Sequence, residues 1–101
     1  MYHKDTNILK AADFKAELDS IVRASDELQY PFSLGRVVYD KNKMKFEEMA
    51  ALLSKSIRAT DIAGCDEYGN VYIILLFVVP SARMYTEQRF ERVGLSVVWE
   101  N

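Results

Sequence analysis

The sequence predicts an α+β domain: one leading helix, then a βαββαβ core whose four strands form an antiparallel sheet. Three observations carry this. Apolar side chains recur at helical spacing in three separated segments. Strand-like segments rich in Val, Ile and aromatic residues lie between and after them. The longest apolar run, Val71 to Pro80, is apolar on both alternating faces, which marks a central strand covered on both sides.

The elements follow in order. From Lys10 to Leu28, apolar residues fall at Ala11, Phe14, Leu18, Ile21 and Leu28, one face of a helix. Tyr30-Pro31 ends it, because a residue before proline disfavours the α region. Phe32 to Tyr39 reads as a strand and Asp40 to Lys43 as a polar turn. A second amphipathic helix carries Phe46, Met49, Leu53 and Ile57 on one face, with Asn42 as its expected cap. Asp61 to Gly64 is a short strand, and Cys65 to Asn70 is a turn in which Gly69 is free to take positive φ. Val71 to Val79 is the central strand. Pro80-Ser81 opens a third helix, with Ser81 as cap and Gly94 at its C-terminal end. The apolar face of that helix, Met84, Phe90 and Val93, is thinner than the other two. Leu95 to Glu100 alternates as a half-buried strand. The last six elements make the ferredoxin-like split βαβ unit, with two helices on one sheet face. The doubly apolar strand needs cover on the other face as well. The leading helix is the natural cover; a partner or second copy is the alternative.

A length of 101 residues suits one domain, 1–101, large enough to bury a core. A net charge of −2 gives no reason to expect a nucleic-acid polymer as partner. Cys65 is the only cysteine and His3 the only histidine, the latter in a segment expected to fray. An intramolecular disulfide, a zinc site, and Ser-His or Cys-His catalysis are therefore not expected. The Val71–Pro80 run is half of a membrane span, and the polar N-terminus does not read as a signal peptide. The expected location is cytoplasmic, or the cytoplasmic part of a larger protein. No metal and no cofactor are expected.

One constellation stands out. Arg58-Ala-Thr-Asp61 is followed, after five intervening residues, by Glu67-Tyr68-Gly69-Asn70-Val71. Upstream lie Thr6 to Phe14 and Pro31 to Leu34; Ser56 precedes Arg58 by two residues; Glu87-Gln-Arg-Phe90 lies downstream. In order and spacing these segments resemble the GGDEF domain, the diguanylate-cyclase family. They match its opening segment, its first strand, the LRxxD end of the helix before the signature, the signature hairpin, and the helix that follows. The resemblance implies a nucleotidyl-cyclase-like sheet. It also implies a cyclic di-GMP site built on Arg58 and Asp61, with Arg89 and Arg92 of the third helix as added arginines and Arg83 less favoured. Arginine offers forked donors to guanine and phosphate, and aspartate an acceptor for the guanine N–H edge.

The departures from the family concern catalysis. Val38 stands where the family places a metal-binding Asp, with Tyr39-Asp40 after it. Lys41 to Lys45 stands where the family seats guanine. The signature has no Asp-Glu pair. A shifted register, Gly64-Cys-Asp-Glu-Tyr68, would supply Asp66 and Glu67 as metal and catalytic carboxylates. It shortens the interval after Asp61 to two residues and puts Cys65 where a glycine should approach phosphate. The expectation is a degenerate, catalytically inactive domain, not an enzyme, with no catalytic and no metal residues. It would sense cyclic di-GMP and relay it by association with a protein partner or a second copy, as in receptor modules of Pel-type exopolysaccharide systems. The alternative is a ferredoxin-like interaction or dimerisation module with no nucleotide ligand. In that case Arg58 and Asp61 form a local ion pair of under ~1 kcal/mol.

Overall fold

The computed structural model describes residues 1–101. Its chain order is β1 (Ile8–Leu9), α1 (Ala11–Leu28), β2 (Phe32–Val38), α2 (Phe46–Ser56), β3 (Ile62–Cys65), β4 (Val71–Leu76), α3 (Arg83–Glu91) and β5 (Ser96–Trp99). A short 3-10 turn, Pro80–Ala82, leads into α3.

The apolar periodicity decides the layers. Met49, Ala50 and Leu53 of α2 and Phe90 of α3 bury against Val37, Ala63, Val71, Ile73, Leu75 and Leu95 on one sheet face. Burying each of the larger side chains contributes about 2 kcal/mol. On the opposite face Phe14 and Ile21 of α1 meet Ile74, flanked by Leu18, Leu34, Ile62 and Tyr72. The leading helix therefore covers the second face of β4, and the alternation of Val71 to Leu76 is explained without a partner. Phe14 sits directly over Gly64. A Cβ there would lie 2.7 Å from Phe14 Cβ.

The sheet order is β1-β3-β4-β2-β5. The pairs β3–β4, β4–β2 and β2–β5 are antiparallel, and β1 lies parallel to β3. The expected four-stranded antiparallel sheet is thus corrected to a mixed one of five strands. The extra strand, Ile8–Leu9, is too short to show alternation and is held by pairing with Ala63 and Gly64. Around it the N-terminal segment is tied down rather than frayed. The His3 N–H donates to Ile8 O at 2.8 Å, Thr6 Oγ1 donates to His3 O at 2.9 Å, and the His3 ring packs edge-on to Phe46 at 5.3 Å.

Several boundaries move for identifiable reasons. Gln29 closes α1 in the left-handed region (φ 57), its N–H returning to Ser25 O at 2.8 Å, so the helix has its own cap before Pro31 acts. Lys45, not Asn42, occupies the N-cap of α2. Glu48 Oε1 accepts from the Lys45 N–H at 3.5 Å, while the Asn42 N–H donates to Asp40 Oδ1 at 2.9 Å. Ser81 lies inside the 3-10 turn and caps nothing. Strand β4 stops at Leu76 rather than Val79, because Phe77 turns left-handed (φ 61) and donates its N–H to Pro31 O at 2.8 Å. Gly94 (φ 80) does reverse the chain after α3. No helix is long and apolar enough to cross a membrane.

Candidate functional site

Helix α2 stops at Ser56, and Ile57 is extended (φ −118). Arg58 to Asp61 then form a turn, with the Asp61 N–H donating to Arg58 O at 3.0 Å. Within it the carboxylate is enclosed by its own motif. Asp61 Oδ2 accepts from the Arg58 backbone N–H at 2.8 Å and from Arg58 Nε at 3.1 Å, and Oδ1 accepts from Nη2 at 2.8 Å. The same Nη2 donates to Leu76 O at 2.7 Å, fastening the turn to the end of β4. The Asp61 side chain is 0% exposed, whereas that of Arg58 is 49% exposed. The hydrogen bond to Asp61 raises the Arg58 pKa above its ordinary value despite partial burial. Asp61 therefore aims Arg58; it presents no free edge to solvent.

Arg89 approaches from α3. Its Nε donates to Ser56 O at 3.0 Å and its Nη2 to Thr86 Oγ1 at 3.3 Å. Arg58, Asp61 and Arg89 line one cavity of about 240 Å³, together with Leu75, Phe77, Tyr85 and Thr86. In both arginines Nη1 is left without a protein partner. Of the four residues assigned to ligand binding, these three come together, and Arg92 lies off the cavity. Arg83 is committed elsewhere. It donates to Ser33 Oγ at 2.9 Å and Asn101 Oδ1 at 3.0 Å, and its guanidinium lies 4.9 Å from the centre of the Trp99 ring. Sequence reasoning missed Phe77, which it placed inside a strand, and Tyr85. The i, i+4 spacing of Tyr85 and Arg89 on α3 was the available signal.

The hairpin is organised differently. Cys65 pairs with Val71, so Asp66 to Asn70 form the loop, and Gly64 and Cys65 are strand residues. Asp66 Oδ1 accepts from the Tyr68 and Asn70 backbone N–H groups, both at 2.9 Å, and Oδ2 from Asn70 Nδ2 at 3.0 Å. Burial pushes the Asp66 carboxyl up, but the Asn70, Tyr68 and Tyr72 hydrogen bonds outweigh it and hold the pKa below the usual aspartate value. A depressed folded pKa means stability that is present at neutral pH and lost as pH falls through that value. Asp66→Asn is therefore expected to lower Tm by about 4 °C at pH 7. In thermal melts the gap from wild type should narrow as pH falls below the ordinary aspartate value, because the folded-state pKa is depressed. A gap that is constant with pH would count against this role. Cys65 is buried, and burial first, then Asp66, push its thiol pKa up, the opposite of an activated nucleophile. Val38 ends β2 with its side chain partly exposed. A larger cavity, about 680 Å³, lies between α1 and this hairpin and is lined by Phe14, Leu18, Leu34, Tyr72, Asp66 and Glu100 among others.

No protein-family profile matches the chain, and no curated protein matches its sequence. Solved structures do. The GGDEF domain of TpbB (YfiN) from Pseudomonas aeruginosa superposes with a TM-score of 0.68 at 11% identity, over 92% of this chain and 60% of that one. The present chain thus spans less than two-thirds of that domain's chain. A DGC (diguanylate cyclase) protein from Thermotoga maritima gives 0.68 at 17% identity, over 94% of this chain and 82% of that one. The expectation that the chain is not an enzyme is corrected by this finding. The architecture is shared with a cyclase, and changes at Val38 and in the hairpin do not amount to evidence of inactivity. At these identities the likeness is one of fold, and the chain has the GGDEF-like fold: a five-stranded sheet with three helices.

Proposed function

We propose that the domain binds cyclic di-GMP at the cavity shared by Arg58 and Arg89 and relays occupancy as a change in association with a partner or second copy. The observation that carries the reading is the convergence of two guanidinium groups, from the α2–β3 turn and from α3, on one hollow. Cyclic di-GMP carries two phosphates, and guanidinium donors suit both phosphate and the O6/N7 edge of guanine. The role of Asp61 differs from direct guanine recognition. Its buried carboxylate holds the Arg58 fork in place, which limits the side-chain entropy lost on binding. A ligand preferring one arrangement of the domain would shift its association equilibrium by that preference alone.

The test is titration calorimetry with cyclic di-GMP. Wild type should bind in the micromolar range, and Arg89→Ala should weaken binding about tenfold, the scale of one charge-assisted hydrogen bond. Absence of heat from wild type at high micromolar ligand would sink the reading. The competing interaction-module reading drew on the doubly apolar strand, and α1 already covers that strand's second face.

A further inference from the structure

We infer that Phe77 and Tyr85 form a base-stacking subsite at this cavity, taking the flat face of a purine while Arg58 and Arg89 hold the phosphates. The inference rests on the nucleotide reading above and adds the half of the ligand that arginines alone do not explain.

Phe77 is 66% exposed and Tyr85 62% exposed, yet both line the same cavity as the two arginines. Phe77 is held in the left-handed region (φ 61), where a bulky L-residue is uncommon and strained. Its setting enforces that conformation. The Phe77 N–H donates to Pro31 O at 2.8 Å, and the Tyr30 ring packs against the Phe77 ring at 4.9 Å between centroids. Strain that leaves an aromatic ring in solvent runs against both backbone preference and the hydrophobic effect. A ring presented this way is suited to stacking. Tyr85 stands one helical turn before Arg89 on α3, so a stacking face and a cationic head come from the same helix surface.

Volume and polarity narrow the ligand class. A hollow of about 240 Å³ is below the size that encloses a drug-sized ligand, so it takes one part of a dinucleotide, a base against the rings with its neighbouring phosphate at the arginines, and leaves the rest outside. Asp61 is sealed under Arg58 and cannot read the N–H edge of a guanine. Recognition therefore falls to the base's face and to donors aimed at its acceptors. The class is a purine cyclic dinucleotide or a purine nucleotide with a comparable anionic group.

The experiment compares wild type, Phe77→Gly, Tyr85→Ala and Arg89→Ala. Glycine adopts positive φ freely, so Phe77→Gly removes the ring without adding backbone strain, and thermal melts confirm that each variant is folded. Cyclic di-GMP affinity is read by calorimetry and ring stacking by the proton NMR shift of guanine H8. Inorganic pyrophosphate serves as a base-free probe. The expected result is an upfield H8 shift with wild type, lost in both aromatic variants. Each aromatic variant should also bind cyclic di-GMP about tenfold more weakly and pyrophosphate as wild type does. Two outcomes overturn the stacking subsite and leave the nucleotide reading standing: aromatic variants that bind cyclic di-GMP like wild type while Arg89→Ala is weakened, or affinity lost with no H8 shift in wild type. Wild type that fails to bind overturns both.

Discussion

Gly64→Ala is expected to destabilise the domain by about 3 kcal/mol, a fall in Tm of roughly 15 °C. The new Cβ would lie 2.5 Å from Phe14 Cγ and 2.7 Å from Phe14 Cβ. A clash with a side-chain tip could be relieved by a rotamer change. Phe14 Cβ is fixed to the helix backbone, so α1 itself would have to rise from the sheet, loosening the cluster of Phe14, Ile21 and Ile74. Circular-dichroism melts check the effect, and a loss under ~1 kcal/mol would show that α1 does not rest where the structure places it. Trimming Phe14 as well should make the two changes markedly non-additive, because they share one contact. This packing also gives Gly64 a reason for being glycine that has nothing to do with approach to a phosphate.

Removing Arg58 should cost stability as well as ligand binding. Exposed ion pairs contribute about 0–1 kcal/mol, and Arg58 by its own exposure belongs in that class. Asp61 does not. Its side chain is fully enclosed, and without Arg58 it would keep only the backbone N–H of residue 58 as donor. Leu76 O would lose a partner too. Arg58→Ala is therefore expected to destabilise by about 2–3 kcal/mol, near the lower end for a stranded buried charge because half of the Arg58 side chain faces water. Urea denaturation measures this directly. Arg58→Ala combined with Asp61→Asn should recover part of the loss by removing the charge. A single variant as stable as wild type would mean that the pair is an ordinary surface contact. It follows that a binding defect in Arg58→Ala mixes lost contact with lost structure, so Arg89→Ala is the cleaner probe of the site.

Much of this architecture was legible in the sequence. Phe14 and Ile21 on one face of α1, Met49 and Leu53 on one face of α2, and the two-faced run from Val71 are patterns of burial, and burial is what periodicity records. Three features were not legible, each for a physical reason. Strand β1 is created by its partner, since two residues have no period of their own. The left-handed turn at Phe77 runs against the preference of a bulky residue, so the apolar run suggested three more strand residues than exist. The motif spacing placed Arg58 and Asp61 together, and the family resemblance named Arg89 and Arg92 as added arginines, of which only Arg89 lines the same cavity. The spacing could not reveal that Asp61 points inward beneath Arg58, because burial of one side chain in a turn depends on the chain folding back over it. The doubt cast on catalysis by Val38 was likewise a local observation, and the fold is one that a cyclase also uses.

The strand pairing has a consequence in time. Of the four pairings, only β3–β4 joins strands that are neighbours in sequence. The β1–β3, β2–β4 and β2–β5 pairings each require a long segment to close first, at an entropic cost that slows assembly. The hairpin is therefore the place where the sheet can start, on the microsecond scale of a local turn. The Asp66 carboxylate that gathers its loop would then act before any helix has docked, as an early organiser of the chain's search rather than a late ornament of the finished sheet.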